Sequence, residues 1–241
     1  MGLVVGLIAL GIAAVVGGIA AYEALKSARD DANKSFGNQC VGSPVVPCSA
    51  ANLKPITQAQ ADALFKRMAA TADSIPFDYP NDCCYSRAHE MCRMMEEQGI
   101  DCGKVWNYQN PGPPPGPPLV ANTPNSPTGN VVWRYHVAPT VNVKGDDGVV
   151  RTEVIDPSMF DHPVSVDEWR AAQHAPDSIT QYTDSSPYYR GINGVDADYD
   201  PDYSKTQTQL IIHETQRDQQ DPSFVKQLGD RRKARVAANS N

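Results

Sequence analysis

Helical periodicity and strand-like runs fall in separate blocks of this chain, and that segregation constrains the fold more than any other feature. Residues 57–98 carry apolar side chains at helical spacing, whereas 104–108, 131–143 and 149–156 are rich in β-branched and aromatic residues. A run of helix followed by a run of strands, the last two joined by a short Gly- and Asp-containing segment, predicts an α+β domain. Its N-terminal helices would pack on an antiparallel sheet.

The element boundaries follow from local chemistry. Thr57 and Gln60 form a capping-box pattern with Ile56 as a staple, and Leu64, Phe65, Met68 and Ala69 make an apolar stripe suited to core packing. A second helix is expected from Cys84 to Gln98, with Gly99 just past its end. Cys84, Ala88, Met91 and Met95 share its inward face, and Glu90, Arg93, Glu96 and Glu97 take the outside. The Pro/Gly/Asn/Ser-rich stretch 110–130 reads as a loop, partly polyproline II. Residues 161–203 read as mostly irregular, 206–216 as a short helix, and the basic run Arg231–Arg235 as a solvated tail.

The ends and the composition bound the function. Leu3–Tyr22 is apolar and uncharged, long enough to cross a bilayer as a helix, and Lys26, Arg29 and Lys34 all follow it. The segment reads as a membrane anchor, a cleaved signal, or a helix buried or bound by a partner. The expected organisation is therefore 1–22 apolar segment, 23–56 linker with a Cys40/Cys48 loop, 57–204 catalytic domain and 205–241 C-terminal helix with basic tail. A net charge of −7 argues against a nucleic-acid binder. The six cysteines match no zinc spacing, so no metal or other cofactor is expected. Cys40 with Cys48, and Cys92 with Cys102, are spaced for disulfides, whereas the adjacent Cys83 and Cys84 are not.

Three residues carry a chemical pattern. Cys84 sits at a helix start, where unpaired N–H groups favour a thiolate, the nucleophilic form. Taken alone it reads as a buried structural cysteine. If Val143 pairs with Val149 across the loop Lys144–Gly148, His136 directly faces Asp156 on the neighbouring strand, and a carboxylate there would fix the histidine tautomer. Taken alone, His136 reads as a solvated strand histidine. On its strand Trp133, Tyr135 and Val137 alternate with Arg134, His136 and Ala138.

Cysteine on a helix start, then histidine and aspartate on successive antiparallel strands, is the arrangement of papain-like and transglutaminase-like enzymes. The segments Asp82-Cys-Cys-Tyr-Ser-Arg-Ala-His89, Trp133-Arg-Tyr-His-Val-Ala138 and Ile155-Asp-Pro-Ser158 resemble three blocks of the bacterial protein-glutaminase (protein-glutamine deamidase) family, in order. The resemblance spans roughly 75–170, with Gly99–Cys102 and Trp169-Arg170 where similar residues occur. It implies Cys84, His136 and Asp156 as catalytic residues and a glutamine-containing protein as substrate. Trp133 and Tyr135 would line the site and exclude water, and Asp82, Arg87 and His89 would support it, Arg87 and His89 from the helix surface. Cys83 stands where the secreted enzyme has glycine, and the Pro-rich stretch 111–128 enlarges a loop.

The reaction so implied is hydrolysis of protein-bound glutamine to glutamate through a Cys84 thioester, in a secreted enzyme or in an effector or toxin matched by an inhibitor or immunity protein. A transglutaminase or cysteine peptidase would use the same triad. A membrane-anchored interaction module would instead oxidise Cys84 with Cys92 or Cys102.

Overall fold

The computed structural model describes residues 53–194 and 196–239. The apolar segment 3–22 and the Cys40/Cys48 loop lie outside the described residues. Among those described, no helix is long and apolar enough to cross a membrane.

The chain enters through β1 (Ile56–Thr57) and α1 (Gln58–Ala70). Both halves of the capping box form: the Thr57 side chain accepts from Gln60 N–H, and the Gln60 side chain reaches back to Thr57 N–H. α2 (Cys84–Glu96) follows a turn-rich approach. It closes on Gly99, whose φ of +71° and N–H bond to the Glu96 carbonyl suit a residue without a Cβ. The α1 stripe meets the C-terminal half of the α2 stripe in one core, while Cys84 and Ala88 join a second cluster. Leu64, Phe65 and Met68 of α1 pack with Met91 and Met95 of α2 and with Val141 and Val143 of the central strand. Each such fully buried side chain contributes about 1.5–3 kcal/mol.

The sheet runs β7-β6-β5-β2-β8. In chain order these strands are β2 (Gly103–Tyr108), β5 (Tyr135–Lys144), β6 (Val150–Val154), β7 (Val164–Ser165) and β8 (Ile179–Asp184). Their pairings are antiparallel, and β1 adds to β5 in parallel. A separate ribbon pairs β3 (Leu119–Asn122) with β4 (Asn130–Trp133), and another pairs β9 (Pro187–Arg190) with β10 (Ala197–Tyr199). α3 (Val166–Ala171), capped by Ser165, lies between β7 and β8.

Several expectations need correction. The run 131–143 is two strands broken at Arg134, because β4 leaves to pair with β3, a strand inside the stretch read as loop. Residues 161–203 contain four strands and a helix whose apolar residues are too few per element to show periodicity. The last helix is longer than expected, α4 (Ser204–Asp218), and is followed by α5 (Pro222–Asn239). The basic run therefore lies on a packed helix. Arg231 donates to the Pro124 carbonyl (2.7 Å), Arg232 pairs with Asp73 (3.4 Å), and Arg235 donates to the Pro157 carbonyl. Cys92 and Cys102 are free thiols, as are Cys83 and Cys84.

Candidate active site

The approach to α2 is held by its own polar groups. Arg87, fully buried rather than on the helix surface, donates from Nη1 to the carbonyls of Tyr79 (3.0 Å) and Asp82 (2.7 Å). Asp82 Oδ1 accepts the Cys83 N–H (2.6 Å). Cys83 then takes φ +73°, a conformation that disfavours any residue with a Cβ, and Cys84 begins the helix. Glycine adopts such left-handed backbone without that cost.

Cys84 is 6% exposed and shares a buried cluster with Trp106, Tyr108 and Val137, against which Tyr85 and Tyr135 pack. The backbone N–H of Val137 bonds to its sulfur, so the thiol lies against the peptide that follows His136. The thiolate favoured by helix-end reasoning is not the resting form. Burial pushes the Cys84 thiol up to about 12, against the lowering effect of Arg87 and with a further rise from Asp82. Desolvation is the largest cause because the sulfur is nearly closed off from water.

His136 Nε2 lies 2.8 Å from Asp156 Oδ2, with both residues buried. The juxtaposition is as expected, but the register is not. Lys144 pairs with Val150 and Thr140 with Val154, around a loop Gly145–Val149 in which Gly148 takes φ +76°. That ladder, continued, would put Asp156 opposite Ala138, one diagonal step from His136 on the same face. β6 ends first; Ile155 N–H still bonds the Pro139 carbonyl (3.0 Å), and the Pro157 turn lets the carboxylate reach back.

The carboxylate is fully engaged. Oδ2 also accepts Trp169 Nε1–H (2.9 Å), and Oδ1 accepts Ser158 N–H (3.1 Å) and the Ser158 hydroxyl. Burial alone would raise this carboxyl. Attraction to His136 and the bonds from His136, Ser158 and Trp169 bring it down instead, to about 2. Because an ionised carboxylate only accepts, His136 carries its proton on Nε2. Nδ1 is buried and makes no hydrogen bond.

The imidazole is clamped between two indoles. Trp133 stacks on one face at 4.4 Å and 9°, and Trp169 lies at 5.4 Å and 24°. Trp133 is itself tied to the Pro80 carbonyl by its N–H (2.8 Å). The simple alternation placed Trp133 opposite His136; the break at Arg134 turns it onto the same side. Trp133 thus holds the histidine, whereas Tyr135 lines the cleft. That cleft, of about 700 Å³, runs beside the site between Asp82, Tyr85, Tyr135, Tyr188 and Tyr189 on one part and α4 residues such as Lys205 and Gln209 on the other.

His89 is buried, not on the helix surface. Its Nδ1 lies 2.8 Å from the Nζ of Lys104, which is also buried, and its Nε2 lies 3.1 Å from the Asp200 carbonyl. Lys104 also donates to the Pro187 carbonyl (2.6 Å), so this pair ties the segments carrying Tyr188 and Lys205 to the core. Glu90, expected outside, is buried against Gln207 of α4. Sequence reasoning did not assign Ser158, Trp169, Lys104, Tyr188 or Tyr189. Ser158 alone left a local signal, since Asp followed two residues later by Ser is a turn pattern.

A glutaminase family model matches residues 61–173. A crystal structure of protein-glutaminase shares 29% identity, covering 65% of this chain and 89% of that one, with TM-score 0.54. The NMR structure of protein-glutaminase from Chryseobacterium proteolyticum shares 29%, covering 65% and 86%, with TM-score 0.55. A crystal structure of pro-protein-glutaminase shares 30%, covering 72% of this chain and 61% of that one, with TM-score 0.56. No curated protein matches the chain in sequence. Residues 61–173 thus match the glutaminase family model, and the fold is similar to that of protein-glutaminase.

Proposed function

We propose that the protein hydrolyses the side-chain amide of protein-bound glutamine, with Cys84 as nucleophile, His136 as acid–base and Asp156 as its orienting carboxylate. The observation that carries the reading is the state of His136. Asp156 and two indoles fix the ring, Nε2 is committed to the carboxylate, and Nδ1 is left unbonded on the residue next to the peptide N–H that touches the Cys84 sulfur.

With the thiol near 12, sulfur cannot act as a free thiolate at neutral pH. Nδ1 therefore takes the Cys84 proton as sulfur attacks the glutamine carboxamide carbon. The tetrahedral oxyanion is met by the Cys84 N–H in the first turn of α2, where N–H groups have no intrahelical partner. His136 returns the proton to nitrogen, the C–N bond breaks, and ammonia leaves a Cys84 thioester. His136 then deprotonates a water, which cleaves the thioester to glutamate and regenerates the thiol. Asp156 stays ionised throughout and stabilises the imidazolium. The papain- and transglutaminase-like placement of the fold belongs to the same reading. The effector route, with an inhibitor or immunity protein to match, rests on segment 3–22 alone.

The test is ammonia release from a glutamine-rich unfolded protein by the full chain, beside Cys84→Ala, with peptide masses read on the same samples. Ammonia with glutamine-to-glutamate conversion, both abolished by the substitution, is expected. Cut peptides without ammonia would replace the reading with a peptidase.

A further inference from the structure

A second cleft, of about 600 Å³, lies across Tyr135 and Tyr189 from the first and shares those two rings as its wall. The rings stand edge to face at 5.6 Å. The two clefts thus flank a ridge whose Tyr135 packs against the cluster holding the candidate nucleophile. The outer part of the second cleft is Pro111 and Pro115 of the proline-rich stretch. That loop is internally braced: Gly116 N–H bonds the Asn110 carbonyl (2.9 Å), Gln109 Nε2 bonds the Gly116 carbonyl (2.7 Å), and Gly112 N–H bonds Asn110 Oδ1 (3.0 Å).

The charges of the two clefts differ. The first holds Asp82 and the Asp198–Lys205 ion pair (2.6 Å). The second has one charged lining residue, Arg134. Arg134 is the break between β4 and β5, and its carbonyl is fixed by the Gln109 N–H (2.7 Å). Its side chain is exposed, and among the described residues its guanidinium joins no ion pair. A protein of net charge −7 thus presents, among its described residues, a cation outside any ion pair in the cleft lined by Tyr135.

We propose that this cleft is a subsite for an acidic side chain of the substrate, within about three residues of the target glutamine, the length of extended chain that spans about 10 Å. The proposal rests on the deamidase reading. An extended segment delivering glutamine to Cys84 must cross the Tyr135–Tyr189 ridge, so its residues on one side lie along Arg134. Guanidinium pairs with carboxylate through two parallel N–H bonds, and the braced loop lowers the ordering cost. An exposed pair is worth at most about 1 kcal/mol, so the expected preference is about fivefold.

The experiment compares peptides with one glutamine that carry glutamate, alanine or lysine at each of the three positions before and after it. Ammonia release gives kcat/KM for the full chain, Arg134→Ser and Arg134→Glu. The expected glutamate-over-alanine ratio is about fivefold on one side of the glutamine. It should fall to unity in Arg134→Ser and invert towards lysine in Arg134→Glu. Equal ratios in all three proteins, with ammonia still released, would overturn the subsite and leave the deamidase reading intact. If no peptide yields ammonia, the reading of the site fails. Binding of the same peptides to Cys84→Ala protein, with Arg134 intact or replaced by serine, then decides the subsite: an Arg134-dependent preference for glutamate keeps it, and equal binding removes it.

Discussion

Replacing Asp156 by asparagine keeps the shape of the side chain and removes its charge. Four donors converge on the carboxylate: His136 Nε2–H, Trp169 Nε1–H, and the Ser158 N–H and hydroxyl. An asparagine offers one oxygen and one NH₂ group. With its oxygen towards His136 and Trp169, the NH₂ faces the Ser158 N–H. With its oxygen towards Ser158, the NH₂ faces the Trp169 N–H. Either way a buried donor loses its acceptor, at a cost of about 1–3 kcal/mol. The ionisation gives an independent figure. Lowering the carboxyl from 3.8 to about 2 corresponds to about 2 kcal/mol of folded-state preference for the charged form. A depressed carboxyl stabilises the fold above its unfolded value and loses that contribution as pH falls through its folded value. Urea denaturation should therefore show Asp156→Asn less stable by about 2 kcal/mol at about pH 7, with unchanged slope. The gap should narrow as pH falls from about 4 to about 2. Equal stability at neutral pH, or a gap that does not change on acidification, would refute the reasoning. Ammonia release by the variant should fall by about 10⁴, through loss of the Nε2–H tautomer.

Three further outcomes follow from other parts of the molecule. Alkylation of wild-type Cys84, read on its own peptide, should keep rising to beyond about pH 9, because burial holds the thiol near 12; a plateau near neutrality would show a preformed thiolate. At Cys83, φ +73° should reverse the ordinary order of small residues, so that Cys83→Gly is more stable than Cys83→Ala by about 1 kcal/mol in thermal melts; alanine equal or better would mean that the turn relaxes. Arg235→Met keeps the buried stem and removes the bond to the Pro157 carbonyl, so calorimetry should show a loss of about 1–2 kcal/mol, whereas a solvated tail would show none.

What was legible in the sequence was local. The Thr57–Gln60 box, the stripes of α1 and α2, Gly99 beyond the helix end and the presence of a hairpin after Lys144 depend on spacings of a few residues, which backbone geometry converts directly into faces and turns. The family resemblance also grouped Cys84 with His136 and Asp156, although Cys84 lies far from that hairpin in the chain. What the tertiary structure decided was everything set by which surface covers which. The hairpin register moved by two in its pair sum: Lys144 stands opposite Val150, and Gly148 takes the left-handed turn within the loop between them. Trp133 joined His136 because β4 found β3 as its partner across residues the proline-rich composition concealed. Arg87, His89 and Glu90 looked solvent-facing on a lone helix; the approach to α2 took up Arg87, the Asp200 carbonyl met His89, and Gln207 of α4 met Glu90. The ionisation of Cys84 changed sign of expectation for the same reason. A helix terminus is visible in sequence, but the desolvation that raises the thiol depends on the buried cluster with Trp106, Tyr108 and Val137 that only the folded chain assembles.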